Sequence, residues 1–547
     1  MTTTLFTNAK IYTVNKQQPW AEAMAIKDNK ILAVGSANEL ESLYAKDANK
    51  IDLQGKMVMP GLADIHNHFV FGGRGELFEA NFPPFLGLDE IIGVVAQAAA
   101  NTPEGEWIVG GIFGSHLLDQ INLEYRLKLD EASQGRPVML RDESHHNRWT
   151  NKVGLEICGI DDNTPSPENG TIARDANTGE ATGLLLESAS ALVEDLVIET
   201  IKAQSEQNVQ ATAHAFKRLN ALGITCIQEP LANRTVMDSI KDTVDQNKLS
   251  AWVVASIPVL QGPFASDEWG KSLFNLRDEY RSEYFRPDFG KLFMDGVPTT
   301  HTAAMLDPYL PTDKFGCCFR GDNFMTVPQL ARVISDCESE GISLKIHCTG
   351  DNAVRATLDA IEVVRNFNGG EWQHQIAHAG YVSHDDIPRF AELNVVADLS
   401  PMIWFPGMIV EQLKTILPEE RVTHSFPNKL MLEKGVLIAA GSDWPVLPDP
   451  SPWIGMEGII TRKDPSGQVP GEMWPEQGLS LEEALYAYTL GPVKAMGLEK
   501  ETGSLEPGKS ADFVVLKDNL FDISMDQVSD TQVLSTYFAG KLVHEVS

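Results

Sequence analysis

The chain has 547 residues, with 44 basic and 76 acidic side chains and a net charge of −32. That excess argues against a nucleic-acid binder, which needs a basic face to displace counterions from phosphate, and against docking on anionic membrane. Charged residues are 22 % of the chain and hydrophobic residues 43 %, which is a globular composition with ample core rather than an acidic disordered one.

The first residues show no basic segment followed by an apolar one, so no secretory signal is expected. Residues 5–14 and 23–34 are rich in Ile, Val and aromatics and read as strands. Asn15-Lys16-Gln17-Gln18-Pro19 separates them, and Lys27-Asp28-Asn29-Lys30 turns within the second run. Residues 50–58 add another strand. The far end reads the same way, with a strand at 511–516 and a hairpin at 533–543 around Ala539-Gly540-Lys541. Two β-rich ends suggest one small β-sandwich built from residues 1–60 and 490–547.

The middle, residues 61–489, alternates strands and helices, which points to parallel βαβ units. Strands are expected at 61–69, 225–229, 252–258, 291–295, 343–347, 375–379, 395–399 and 436–440. Helices are expected between several of them, as at 328–341, where Gly341 supplies a stop, and at 352–367. Eight such strands match an α/β fold of the (β/α)8 barrel type. The gap between the first two strands is far longer than one crossover needs. Residues from about 71 to 190 therefore read as an inserted lid over the barrel mouth.

No run of ~18 apolar residues occurs, so no transmembrane helix is expected. The six cysteines form no Cys-x-x-Cys pair and are too sparse for a disulfide framework. Reduced thiols and a cytoplasmic location are the expectation, with adjacent Cys317 and Cys318 as bystanders.

His66-Asn67-His68 closes the first barrel strand. On a strand, residues i and i+2 share a face, so both imidazoles can reach one ion. Asp64 shares that face and can orient a ligand from behind. His-x-His alone is a weak signal among 13 histidines. His347, His378 and Asp443, however, each close another apolar strand, where barrel enzymes place their reactive groups. Histidine and carboxylate donors suit zinc, with manganese or iron as alternatives. Lys291 reads from spacing alone as an ordinary lysine, since a free ammonium cannot ligate a cation.

The segment Pro60-Gly61-Leu62-Ala63-Asp64-Ile65-His66-Asn67-His68 resembles the first-strand signature of the metal-dependent amidohydrolase superfamily. Lys291-Leu292-Phe293-Met294-Asp295-Gly296, His347-Cys348-Thr349-Gly350-Asp351-Asn352-Ala353 and Gly441-Ser442-Asp443-Trp444-Pro445 resemble its YtcJ-like branch, amidohydrolase family 3. The insertion is similar too, at His146-Asn147-Arg148-Trp149-Thr150-Asn151 and at Gly170-Thr171-Ile172-Ala173-Arg174-Asp175. So is the closing Gly503-Ser504-Leu505-Glu506-Pro507-Gly508-Lys509-Ser510-Ala511-Asp512-Phe513. The resemblance implies His66, His68, His347 and His378 as metal ligands, and Asp443 as a ligand and catalytic acid/base. It also implies Lys291 as a carboxylated lysine bridging two ions. Three positions depart from the branch: Ala377 replaces an acidic residue, Gln375 an arginine, and His301 an arginine before Thr302-Ala303.

These residues lead to an expected reaction. A divalent ion lowers the pKa of its water from 15.7 to about 7, and Asp443 accepts and returns the proton. His301 or His146 would help the metal polarise the scissile carbonyl. The bond is a C–N bond of a small molecule, in an amide, formamide or cyclic amide. A deaminase, an ester or lactone hydrolase, and a non-catalytic regulatory member are the alternatives. His146 of the pair His145-His146 is expected to touch substrate. Trp444 and Trp404-Phe405 would wall an apolar pocket, and Glu187 reads equally as a lid anchor or a solvated carboxylate. No nucleotide-binding glycine motif appears. A homodimer is expected from base rates alone.

Overall fold

The structure is a computed structural model that describes residues 3–44, 46, 48–144, 146–168, 170–261, 268–403 and 405–546. Eight parallel strands form its centre, in the order of the chain: β1 (Leu62–Asp64), β2 (Ile224–Glu229), β3 (Trp252–Pro258), β4 (Phe285–Phe293), β5 (Ser343–Cys348), β6 (His374–His378), β7 (Val395–Leu399) and β8 (Ile438–Ala440). The ring closes between first and last strands. Ile65 N donates to Ala440 O at 3.2 Å, Asp443 N donates to His66 O at 2.7 Å, and Asn67 forms a parallel bridge with Trp444. The expected (β/α)8 barrel is therefore present.

Alternation along the strands explains the core. Ala63, Cys226, Val254, Val396 and Ala439 pack together with Val493, Met496 and Phe538. Their neighbours Leu62, Ile227, Val253, Ile346 and Ile438 belong to the larger cluster shared with the surrounding helices. Opposite faces of each strand are thus buried in different apolar environments, as a barrel requires. Helix Leu490–Ala495 lies against one end of the barrel, where Gln375 Nε2 donates to Ala495 O at 2.9 Å.

One strand is shorter than its sequence suggests. The strand expected at 61–69 stops at Asp64. The Asp64 carboxylate accepts from His66 N at 3.0 Å and from Ser442 N at 3.1 Å, turning the backbone out of the ladder. Helix Phe69–Phe78 begins directly after His68.

Strands from the two chain ends pair in one sheet. Strand Met57–Pro60 pairs antiparallel with Phe513–Leu516, with Val58 opposite Val515, in a six-stranded sheet. Strands Lys30–Gly35, Ala23–Lys27, Thr4–Thr7 and Asn49–Asp52 form a four-stranded sheet. Phe6, Ile11, Ile26, Val58, Phe513 and Val515 fill the space between. The single strand expected at 50–58 is two strands in two sheets. Gln54 and Gly55, with φ of 54° and 76°, turn the chain between them.

The long segment after β1 builds its own six-stranded sheet, from Ala80–Asn81 through Ile108–Phe113, Val138–Asp142, Arg148–Thr150 and Ala181–Glu187 to Gly170–Arg174. Trp149, Phe113, Leu140 and Leu184 are buried beneath it with helix Leu88–Asn101. All six cysteines are free thiols, and Cys317 and Cys318 are exposed. No described helix is long and apolar enough to cross a membrane.

Candidate metal centre and active site

The expected ligands converge at the C-terminal ends of the barrel strands. Asp443 stands at the centre of them. Its Oδ1 lies 3.5 Å from His66 Nε2 and 3.6 Å from His68 Nε2, and its Oδ2 lies 3.8 Å from His378 Nδ1. His66, His68 and Asp443 offer ligand atoms all within 4.8 Å of one another. The His347 ring sits 4.6 Å from that of His378, because β5 and β6 are adjacent and place Cys348 opposite His378.

The backbone is forced to make this convergence. His378 and Asp443 have φ of 73° and 55°, in the left-handed region that L-residues avoid. Such positions cost about 1–3 kcal/mol and persist where the surroundings over-determine them, typically at functional sites.

Electrostatics favour neutral imidazoles. Burial first, and neighbouring lysines and histidines next, hold His66, His347 and His378 well below the usual histidine range. Burial pushes Asp443 up to about 6, opposed by His68 and Lys291. Neutral histidines beside a carboxylate are the donor set that a divalent cation takes.

Two buried lysines lie beneath the ligands, and their surroundings differ. Lys345 Nζ donates to Asp398 Oδ2 at 2.5 Å and to Ile65 O at 3.0 Å. It is an ammonium with partners. Lys291 Nζ has no hydrogen-bond acceptor among the described residues, and burial followed by Lys345 lowers it to about 8. A buried unpaired ammonium is costly. Lys291 Nζ instead lies over the Phe293 ring, 5.0 Å from the centroid.

The sequence missed the groups that orient the ligands. Asp64 was expected to do so, but it binds backbone amides, Asn67 Nδ2 at 2.9 Å and Ser442 Oγ at 2.7 Å. Asp398 of β7 takes that role, with Oδ2 2.8 Å from His66 Nδ1. Glu229 Oε1 lies 3.3 Å from His68 Nδ1. The signal for both was present: each is a carboxylate in or closing an apolar strand. Asp295 accepts from the amides of Ala304, Thr349 and Gly350 at 2.8–3.0 Å, and so ties the loops after β4 and β5 together.

The insertion completes the site. His146 Nδ1 lies 2.9 Å from Glu187 Oε2, and its ring is 5.8 Å from that of His347. Burial pulls the His146 pKa down, but Glu187 outweighs it and the net shift is upward. Glu187 is an anchor: its Oε1 also accepts from Thr302 Oγ1 at 2.9 Å, across to the loop after β4. His301 does not join the group. Its ring packs on Tyr309 and Phe315, with centroids 5.0 Å away in each case, outside the cavity lining. Gln375 Nε2 donates to Ala495 O, and neither Gln375 nor Ala377 lines the cavity.

A cavity of about 240 Å³ opens above the ligands. Its barrel side is walled by Phe293, Tyr381, Ile403, Leu413, Phe426 and Trp444, and its lid side by Phe71, Phe82, Arg141 and Glu143. Trp444 is thus a wall as expected. Phe405 instead packs on Gly458, and Trp404 and His145 lie outside the described residues.

Residues 50–544 match the amidohydrolase family. The chain belongs to the amidohydrolase family. This amidohydrolase is 29 % identical to Protein LONG AFTER FAR-RED 3 of Arabidopsis thaliana, over 99 % of this chain and 91 % of that one. It is 28 % identical to N-substituted formamide deformylase of Arthrobacter pascens, over 98 % and 97 % of the two chains. It is 27 % identical to the putative amidohydrolase YtcJ of Bacillus subtilis, over 98 % of each. The resemblance read from the barrel motifs therefore holds across the amidohydrolase chain.

Proposed function

We propose that this amidohydrolase cleaves a C–N bond outside peptides, in an amide, formamide or cyclic amide of a small molecule. The observation that carries the reading is the convergence of His66, His68, His347, His378 and Asp443 at the barrel mouth, with buried Lys291, which meets no carboxylate among the described residues, in the same cavity. The relative named N-substituted formamide deformylase supports a formamide as the first substrate to try. On this reading residues 1–60 and 490–547 are a composite sandwich domain. Residues 61–489 are the catalytic barrel, with the lid inserted at about 71–190.

His66, His68 and Asp443 would hold one divalent cation and His347 and His378 a second, with carboxylated Lys291 between them. Zinc is the first candidate, with manganese or iron next. The metal supplies Lewis acidity and an acidified water. The chain supplies the rest. Asp443 accepts the proton of the attacking water on a carboxylate oxygen and delivers it to the leaving nitrogen. His146, oriented by Glu187, donates a hydrogen bond to the carbonyl oxygen as negative charge develops. The apolar wall formed by Tyr381, Ile403, Leu413 and Phe426 excludes water and receives the substituent on nitrogen.

A product assay tests this. The zinc-loaded protein would be given N-substituted formamides, other amides, cyclic imides, lactones and aminated heterocycles. A carboxylate plus an amine, or the ring-opened amide acid, supports the proposal. Release of ammonia alone, or cleavage of lactones alone, replaces it with the corresponding alternative. No turnover of any compound, with metal bound, removes the enzyme reading.

A further inference from the structure

The lid side of the cavity is lined by four glutamates and one arginine. Three of the glutamates are matched. Glu76 pairs with His214 and Arg218. Glu79 pairs with Arg141 at 2.6 Å, and Glu194 pairs with Arg141 at 3.2 Å and with Arg148 at 2.5 Å. Arg141 is thereby held between two carboxylates and is not free to meet a ligand.

Glu143 is the exception. It follows strand Val138–Asp142, lines the cavity and is only 8 % exposed. Ser115 N donates to its Oε1 at 3.0 Å. No cation pairs with it among the described residues. Its neighbour Asp142 cannot compensate, being anionic itself and already bound to Ser115, Ser144 and Asn147. His146 is occupied by Glu187. Burial, opposed by the Ser115 amide and reinforced by Asp142, raises Glu143 to about 7. A buried carboxylate without a counter-charge is expensive to keep. Glu143 lines the cavity, where a cation carried by a ligand can reach its carboxylate.

We propose that Glu143 is a specificity-determining residue that receives a cationic amine carried by the substrate, away from the scissile C–N bond. The inference rests on the hydrolase reading only in sharing its cavity. The substrate class becomes an amide or formamide whose apolar body ends in an ammonium group.

Calorimetric binding to the zinc-loaded protein tests this without turnover. The probes are α,ω-diaminoalkanes of two to eight methylenes, each compared with the monoamine of equal length. Each pair differs only in the second amine, so the difference in affinity reports that group. At least one diamine should bind about tenfold tighter than its monoamine, as a charge-assisted hydrogen bond provides. Glu143→Gln should abolish that preference. Glu143→Asp, which keeps the charge one methylene further back, should move the optimum to a longer diamine. It also provides the test should the Gln variant fail to fold. A wild-type protein with no diamine preference, a preference surviving Glu143→Gln, or an unmoved optimum in Glu143→Asp overturns the proposal. Loss of the hydrolase reading is separate: formamides left intact with the diamine preference present would remove that reading and leave this one standing.

Discussion

His66 Nδ1 lies 2.8 Å from Oδ2 of Asp398, and that same oxygen accepts from Lys345 Nζ. The hydrogen bond fixes the His66 ring and turns Nε2 toward Asp443. A carboxylate on the far nitrogen also raises the basicity of a ligand histidine. Asp398→Asn keeps the shape but removes the charge and leaves Lys345 without its counter-ion. Metal affinity should fall about 10- to 100-fold, as measured by competition with a chromogenic chelator. Unchanged affinity would show that His66 needs no such support.

Asp443 is surrounded by three imidazoles and carries the proton in the proposed reaction. Asp443→Asn retains an oxygen donor but cannot accept a proton. Metal content by plasma emission should stay within about twofold of wild type, while turnover falls about 100- to 10,000-fold. Full activity in this variant would end the assignment of Asp443 as acid and base.

Lys291 gives a test of the bridging carboxylate. Lys291→Ala should lose turnover and at least half of the bound metal. Acetate or formate, diffusing into the space vacated, should restore part of both, whereas chloride at the same ionic strength should not. No rescue by any short carboxylate, with the fold intact by circular dichroism, argues for a plain lysine.

Glu187 joins the lid to the barrel through His146 and Thr302. Glu187→Gln should leave metal content unchanged and lower kcat more than it raises KM, because His146 loses the carboxylate that orients it. Breaking such a buried pair typically costs about 3–5 kcal/mol, so the melting temperature should also fall by several degrees. A variant with wild-type kcat would make His146 a structural residue only.

Glu194 sets an acid limit. Burial alone would raise its pKa, but Arg141 and Arg148 outweigh burial and hold it at about 2, against 4.5 when unperturbed. A depressed carboxylate contributes stability that is present above pH 4.5 and is lost as pH falls through about 2. The contribution is on the order of 3 kcal/mol. Urea midpoints should therefore decline between pH 4.5 and 2 in the wild type. In Glu194→Gln the decline over that window should be shallower, from a lower starting stability.

The barrel was legible because its strands are apolar runs bounded by turns, and a parallel strand buried on both faces must look like that. The strand at Trp252–Pro258 has the expected bounds to the residue. The strand at 61–69 ran too long because the turn after Asp64 depends on Ser442, which is 378 residues away. The same reason hid Asp398 as the support for His66. Strand periodicity locates a carboxylate in β7, but only ring closure decides which histidine it touches.

His301 makes the converse point. A histidine near a motif reads as functional, yet its left-handed backbone, with φ of 61°, turns the ring onto Tyr309 and Phe315. Glu143 was missed because nothing in a linear pattern distinguishes a glutamate that has found an arginine from one that has not.

Periodicity in the sequence points to the eight barrel strands, and residue chemistry to the residue types of the candidate metal centre, because both are local properties. The tertiary structure decided which carboxylate orients which imidazole, that Lys345 is paired and Lys291 is not, and that the lid contributes His146, Glu187 and Glu143 to the barrel mouth. Those outcomes depend on distances between residues tens to hundreds of positions apart, and such distances exist only once the ring has closed and the insertion has folded over it.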